Sequence, residues 1–341
     1  MNGQALRNSR LGLRLSQGEL KDELNRRLGR SYDKPKISRW ENDKEPIPDD
    51  VAETVENMIG AIQEAARVLV LANQKGGVGK TTSSLNLAYA LSSLGARVLL
   101  IDMDPQATAT AGLLAGANVD LYHQGKTTAH LILSGKAVAD VLVPARILPN
   151  GRHLPFDFIA SHIDLAETDG KREPGFDAAL REALEPVRSD YDWVVIDAPP
   201  NLGMLTWMSL AAADEAIVPV RTEPYDTMGV GLIIGTIGKI QRRLNPSLRL
   251  SGILPTQYSS RKSVDREVLQ HLCLMMKDRA PVLQPVPVSA VYGHAARAGR
   301  IALEASPSAN ATLPYLNLAK ALQTRMDLPL AETENLEEVS S

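Results

Sequence analysis

The stretch that most constrains this chain is residues 70–88, "VLANQKGGVGKTTSSLNLA", where an apolar run passes into a glycine-rich turn and then into a helix-forming segment. Gly76, Gly77 and Gly79 let the backbone curl until successive N–H groups, including those of Val78 and Thr82, face one point, and phosphate oxygens are what such a concavity holds. Lys80 then reaches β- and γ-phosphates, and Thr81 offers a hydroxyl to Mg2+. A strand that runs through such a loop into a helix belongs to a parallel α/β sheet, whose ligands bind beyond the carboxyl ends of the strands. The loop departs from the usual G-x-x-x-x-G-K-[ST] pattern at its mouth: Gln74 replaces the opening glycine, and Lys75 adds a second lysine five residues before Lys80.

From residue 66 onward the chain alternates β-like runs with helical stretches. The expected strands are "ARVLVLAN", "ARVLLIDMD", "FDFIAS", "YDWVVIDA", "EAIVPV", "LRLSGILPT" and "PVLQPVPV". Continuous Val/Ile/Leu runs suit strands buried on both faces, and segments such as "SSLNLAYALSSLG", with Leu87, Leu91 and Leu94 on one side, supply crossovers. The expectation is a doubly wound, mainly parallel P-loop α/β domain over residues 66–328. Asp102 and Asp104 end the second run, 22 and 24 residues after Lys80, and Asp197 ends "WVVID". An aspartate closing a strand is usually a turn residue, but beside a phosphate loop Asp197 has the pattern of a magnesium-shell carboxylate.

The second lysine needs an anion of its own, because Lys80 already serves the phosphates bound by its loop. A symmetric partner supplies one: in a face-to-face dimer Lys75 of one chain reaches phosphates held by the other. The γ-phosphate would then decide whether two chains stay together.

The front of the chain has a different character. Residues 1–40 carry ten basic side chains (Arg7, Arg10, Arg14, Lys21, Arg26, Arg27, Arg30, Lys34, Lys36, Arg39) against four acidic ones. Ser16 and Glu19 form a capping box, Leu20, Leu24 and Leu28 follow as one stripe, and Gly29 is a stop. Pro35 suits the first turn of a second helix, in which Ile37 and Trp40 face inward while Lys36, Ser38 and Arg39 face outward. Residues 1–50 therefore read as a helix-turn-helix domain, with a small bundle serving dimerisation as the alternative. Residues 51–65 read as a connecting helix with Val51, Val55, Met58, Ile59 and Ile62 on its apolar side. Residues 329–341 read as an acidic, unstructured tail. One cysteine, Cys273, and six scattered histidines exclude a disulfide framework and argue against a zinc site. No signal peptide and no membrane-spanning run is apparent, so the expected location is the cytoplasm.

Two resemblances follow from these residues. Leu15–Leu20 and Ile37–Pro46 resemble the Cro/λ-repressor-type DNA-binding domain, which implies a phosphate contact for Gln17 and a major-groove position for Lys36, Ser38 and Arg39. "KGGVGKTT", "DMDPQ", "VVIDAPPNLG" and "VPVRTEPYDTMGVGLI" resemble the ParA branch of the ParA/MinD ATPases. That resemblance implies that Lys75 contacts the partner's nucleotide, that Lys80 and Thr81 hold ATP and Mg2+, and that Asp104 positions the attacking water and joins Asp197 at the metal. It adds Gln257 and Pro287 to the nucleotide contacts. It also implies a DNA-partition ATPase of the plasmid or chromosome type, homodimeric with ATP, nucleoid-associated, and stimulated by a ParB-like partner. Non-specific DNA binding would fall to Arg261, Lys262, Arg297 and Arg300, for which plain surface charge is the alternative. No intrinsic arginine finger is recognisable, so hydrolysis by the isolated chain should be weak. Two rival readings stay open, an ATP-responsive repressor without a segregation role and a positioning ATPase for a protein cargo. The acidic tail does not suit a MinD-like membrane anchor.

Overall fold

The computed structural model describes residues 1–13, 15–63, 65–114, 118–145, 153–171, 173–324 and 326–331, and for residues 12, 59–63, 169 and 228 the backbone alone. Arg14 and the tail from 332 onward lie outside the described residues, as do the side chains of Ile59 and Ile62. The chain divides into two compact units, Met1–Ala66 and Arg67–Ser341.

The first unit consists of α1 (Gly3–Gly12), α2 (Gln17–Leu28), α3 (Lys34–Glu41) and α4 (Asp49–Gln63). Both bonds of the expected capping box at Ser16 and Glu19 form, and Gly29 ends α2 in the left-handed region at φ 61°. Asp33 caps α3, with Pro35 in its first turn. Leu6, Leu20, Leu24, Ile37, Trp40, Val51 and Val55 are fully buried in one core, each burial stabilising by about 1.5–3 kcal/mol for the larger side chains. Helix α1 was not expected from the sequence, yet Leu6 anchors it in that core. Val51, Val55 and Met58 of α4 belong to the same core, so the segment read as a connector packs on the helices before it.

The second unit is built on six parallel strands in the order β3-β2-β4-β1-β5-β6. They are β1 (Arg67–Leu71), β2 (Val98–Asp102), β3 (Asp157–Ile159), β4 (Trp193–Asp197), β5 (Glu215–Arg221) and β6 (Arg249–Thr256). Successive side chains of a strand point to opposite faces, and every residue of β2 and β4 is buried, so both faces of the sheet are covered. Helix α5 (Lys80–Ser93) packs on β1, β2 and β4 and against α10 (Leu313–Thr324), while α6 (Met204–Ala212) lies on β1 and α7 (Pro224–Arg243) on β5. Beyond α7 come α8 (Ser263–Met276) and α9 (Ala290–Arg297). The connection from β1 runs toward β2 and that from β4 toward β5, so strand order reverses beside the loop after β1, the usual ligand position in such sheets.

One expected strand is corrected. "PVLQPVPV" makes only isolated bridges, Ile253 with Val282, Tyr258 with Pro287 and Leu283 with Leu330. Its Pro281, Pro285 and Pro287 lack the N–H a ladder needs. Instead Leu283 N donates to Ile253 O (2.8 Å) and Val286 N to Pro255 O (2.8 Å), so the segment borders β6 without extending the sheet. Pro329 and Ala331, read as the start of the tail, run beside it through Gln284 N to Pro329 O and Ala331 N to Val282 O.

Candidate functional site

The loop after β1 is shaped by its glycines and clasped by the strands beside it. Gly77 and Gly79 take φ of 72° and 84°, where a Cβ is strained. A Cβ at Gly79 would also stand 3.6 Å from Thr256 Cγ2. From the end of β6 the Thr256 hydroxyl donates to Val78 O (2.9 Å) and Gln257 Nε2 to Gly77 O (2.9 Å). Asn73 Nδ2 donates to Pro219 O on β5 (2.7 Å), and its Oδ1 accepts from Lys75 N (3.1 Å). Lys80 is buried, its Nζ donating to Lys75 O across the loop (2.8 Å). Burial pushes the Lys80 ammonium below its ordinary pKa, against the pull of Asp197 and Asp104. An oxyanion in the loop would offset that desolvation by favouring the charged ammonium.

The carboxylates meet as the strand register dictates. Asp102 and Asp197 are direct partners across β2 and β4, and Leu71 pairs with Asp197 on the other side. Asp102 is fully used: Oδ2 accepts from Thr110 N (3.0 Å) and Oγ1 (2.7 Å), and Oδ1 accepts from Asp104 N (3.1 Å). It therefore braces the turn that carries Asp104 and offers no free oxygen to a ligand. Asp197 Oδ1 accepts from the Ser84 hydroxyl (3.0 Å), but its buried Oδ2 has no hydrogen-bond partner. Burial pushes both carboxyls up, with the charge of Asp197 adding to it at Asp102, while the hydroxyls of Thr81 and Ser84 and the charge of Lys80 oppose it at Asp197. An orphaned buried oxygen among hard oxygen donors fits Mg2+, with Thr81, Asp197 and Asp104 as the residues that would hold it.

At the mouth, Gln74 reaches toward α7: its Nε2 would stand 3.3 Å from a Cβ on Gly229. Lys75 pairs with Asp226 in the first turn of α7. Arg221, at the end of β5, lies 3.4 Å by its Nε from the other oxygen of Asp226 and also pairs with Glu223. Sequence reasoning missed Arg221 and Asp226. The available signal was the charged run "RTEPYD" directly after a strand, on the ligand side of the sheet.

Pro287 lines a cavity of about 420 Å³ with Tyr258 and Arg261, one residue along the chain from the Gln257 clasp. Lys262 is exposed, and its charge is felt at Glu223. Arg261 and Lys262 are thus exposed just after β6, and Arg297 and Arg300 are exposed about the end of α9, Arg300 pairing with Glu304 (3.3 Å). In the helical unit Gln17 Nε2 donates to Glu41 Oε2 (2.7 Å), so the side chain expected on a phosphate is engaged internally. Lys36 and Arg39 both pair with Glu45, Arg39 at 2.6 Å, and Ser38 is half-buried between them.

Comparison with known proteins places this geometry. The family model described as an AAA domain (AAA_31) matches residues 66–250. An uncharacterized protein of Mycobacterium tuberculosis is 38% identical over 267 residues, covering 77% of this chain and 80% of that one. The chromosome-partitioning ATPase Soj of Thermus thermophilus is 35% identical, over 78% of this chain and 98% of that one. Among solved structures, one described as cobyrinic acid a,c-diamide synthase of Mycobacterium smegmatis, with bound ADP and magnesium, superposes with a TM-score of 0.64 at 33% identity. It covers 79% of this chain and 100% of that one. Its name denotes a different activity on the shared scaffold, so function has to be argued from the loop and its neighbours.

Proposed function

The chain belongs to the ParA/Soj family of P-loop ATPases, and from that premise we propose that it is an ATP-hydrolysing partition protein whose two copies close face to face over bound nucleotide. The observation that carries the proposal is the division of labour between the two lysines. Lys80 is buried and turned into its own loop, while the Lys75 side chain is 43% exposed at the mouth. Only the second can leave its own chain to meet a partner's phosphates. The loop amides and Lys80 hold the β- and γ-phosphates, and Asp104, fixed by Asp102, orients the attacking water. Magnesium held by Thr81 and Asp197 would neutralise charge on the phosphate oxygens.

With no arginine finger of its own chain assigned to the transferring phosphate, basal hydrolysis is slow, and a ParB-like partner with DNA raises it, within the range of about 10³–10⁵ that such a group can supply. The closed dimer binds DNA without sequence preference through Arg261, Lys262, Arg297 and Arg300, on the nucleoid and in the cytoplasm. The helical unit adds operator binding through Lys36, Ser38 and Arg39, repressing the protein's own operon. Light scattering of the wild type and Lys75→Ala with Mg·ATP or Mg·ADP tests the core of this reading. A dimer is expected only for the wild type with ATP, and one mass under all conditions would overturn it. Plasmid-loss measurements after deletion, beside promoter footprinting, separate segregation from repression alone.

A further inference from the structure

The loop mouth holds more charge than nucleotide binding needs. The Asp226 side chain is 1% exposed, and two cations converge on it from different elements, Lys75 from the phosphate loop and Arg221 from β5. Lys75 is engaged with Oδ1, whereas Arg221 approaches Oδ2 at 3.4 Å without hydrogen-bond alignment. Arg221 also borders the loop itself, its Nη1 standing 3.9 Å from where a Cβ on Gly77 would be. Glu223 next to it is held below the ordinary carboxylate range, chiefly by its hydrogen bond from Arg221, with Lys75 and Lys262 adding to it.

A buried carboxylate stripped of its only cation is strongly destabilising, because the charge is left uncompensated. Were Lys75 the sole partner of Asp226, its departure for another subunit would carry that full penalty. Arg221 removes it: the guanidinium is already beside the free oxygen and needs only to tighten. We propose that Asp226 is a positioning residue that latches Lys75 within its own chain, and that Arg221 takes over the carboxylate when Lys75 crosses to a second copy's nucleotide. The latch keeps the chain open without triphosphate, and the arginine makes it releasable. This inference rests on the reading of Lys75 as a group that acts in trans.

Sedimentation of the full chain with Mg2+ and adenosine 5′-O-(3-thiotriphosphate) gives the nucleotide concentration at half-dimerisation. Asp226→Asn should lower it and Arg221→Gln raise it, each by about tenfold, a size typical of coupling between two sites. Arg221→Lys should stay near the wild type. The double variant Arg221→Gln/Asp226→Asn should follow Asp226→Asn alone, since the arginine acts only through that carboxylate. Asp226→Ser carries the same expectation if Asn at this position fails to fold, with ADP binding and melting temperature as controls. Single variants within twofold of the wild type, or shifts of one sign that add in the double, overturn the latch. If Lys75→Ala still dimerises with the analogue, it is the trans reading itself that fails.

Discussion

Of the carboxylates that each hold two cations in this molecule, Asp226 and Glu45 differ sharply in burial. At the loop mouth Asp226 is buried and holds Lys75 and Arg221. In the helical unit Glu45 is half-exposed and holds Lys36 and Arg39. Water and salt screen the second cluster, so its pairs are weak, and under the proposed operator binding a DNA phosphate would replace Glu45 with little loss. The first sits where screening is poor, so its pairing has consequences for stability and for when the lysine leaves. On the proposed readings, the same three charges would make a gate in one place and a placeholder in the other.

Matched double variants break this comparison most directly. Lys75→Met with Arg221→Met leaves Asp226 alone and should lower the unfolding free energy by about 3–5 kcal/mol. Lys36→Met with Arg39→Met should leave the urea midpoint of the helical unit unchanged. Equal effects at the two places would show that burial does not distinguish them. Next in size, Lys80→Ala removes the ammonium aimed into the loop and should slow phosphate release by about 10²–10³-fold.

A smaller effect sharpens the other side of the comparison. Lys36→Ala or Arg39→Ala should each weaken operator binding by about tenfold or more. The measurement is affinity for operator against scrambled DNA of equal length, and survival of the preference in both variants would reject α3 as the reading helix. The smallest effect concerns the buried pair inside that unit, where Arg10 Nη2 donates to Glu41 Oε2 (3.2 Å). Burial works to raise the Glu41 carboxyl, but its hydrogen bonds from Arg10 and Gln17 and the Arg10 charge overcome it, leaving it below the ordinary value. The folded pKa is the lower one, so the contribution is present above the ordinary carboxylate range and is lost as pH falls through the folded value. Glu41→Gln should flatten that acid limb, read as amide exchange at Ile37 and Trp40.

Features carried by adjacent residues were legible in advance. The Ser16–Glu19 box, the Gly29 stop, the inward pair Ile37 and Trp40, six of the strands and the strand–loop–helix at residues 67–93 all formed as expected. Misreadings came where a local pattern met a long-range constraint. "PVLQPVPV" alternates like a strand, but its prolines leave too few donors to extend the ladder from β6. Helix α1 shows few apolar residues and becomes stable by burying Leu6 in the core that also holds Trp40. Likewise no neighbouring residue announces that Gln17, given a phosphate contact by resemblance, also donates its amide to Glu41, 24 residues later.

The sequence by itself determined the phosphate loop, the alternation that makes a parallel sheet, and the carboxylates that close β2 and β4. Backbone conformation, apolar periodicity and capping depend on neighbours only a few positions apart. Only the tertiary structure decided which charges meet. Strand order puts Asp102 against Asp197, and packing of α7 against β5 sets Asp226 opposite a lysine 151 residues earlier. The strength of those pairings depends on how much water is excluded around them. That exclusion is a property of the packed sheet and its helices, to which residues from the whole unit contribute.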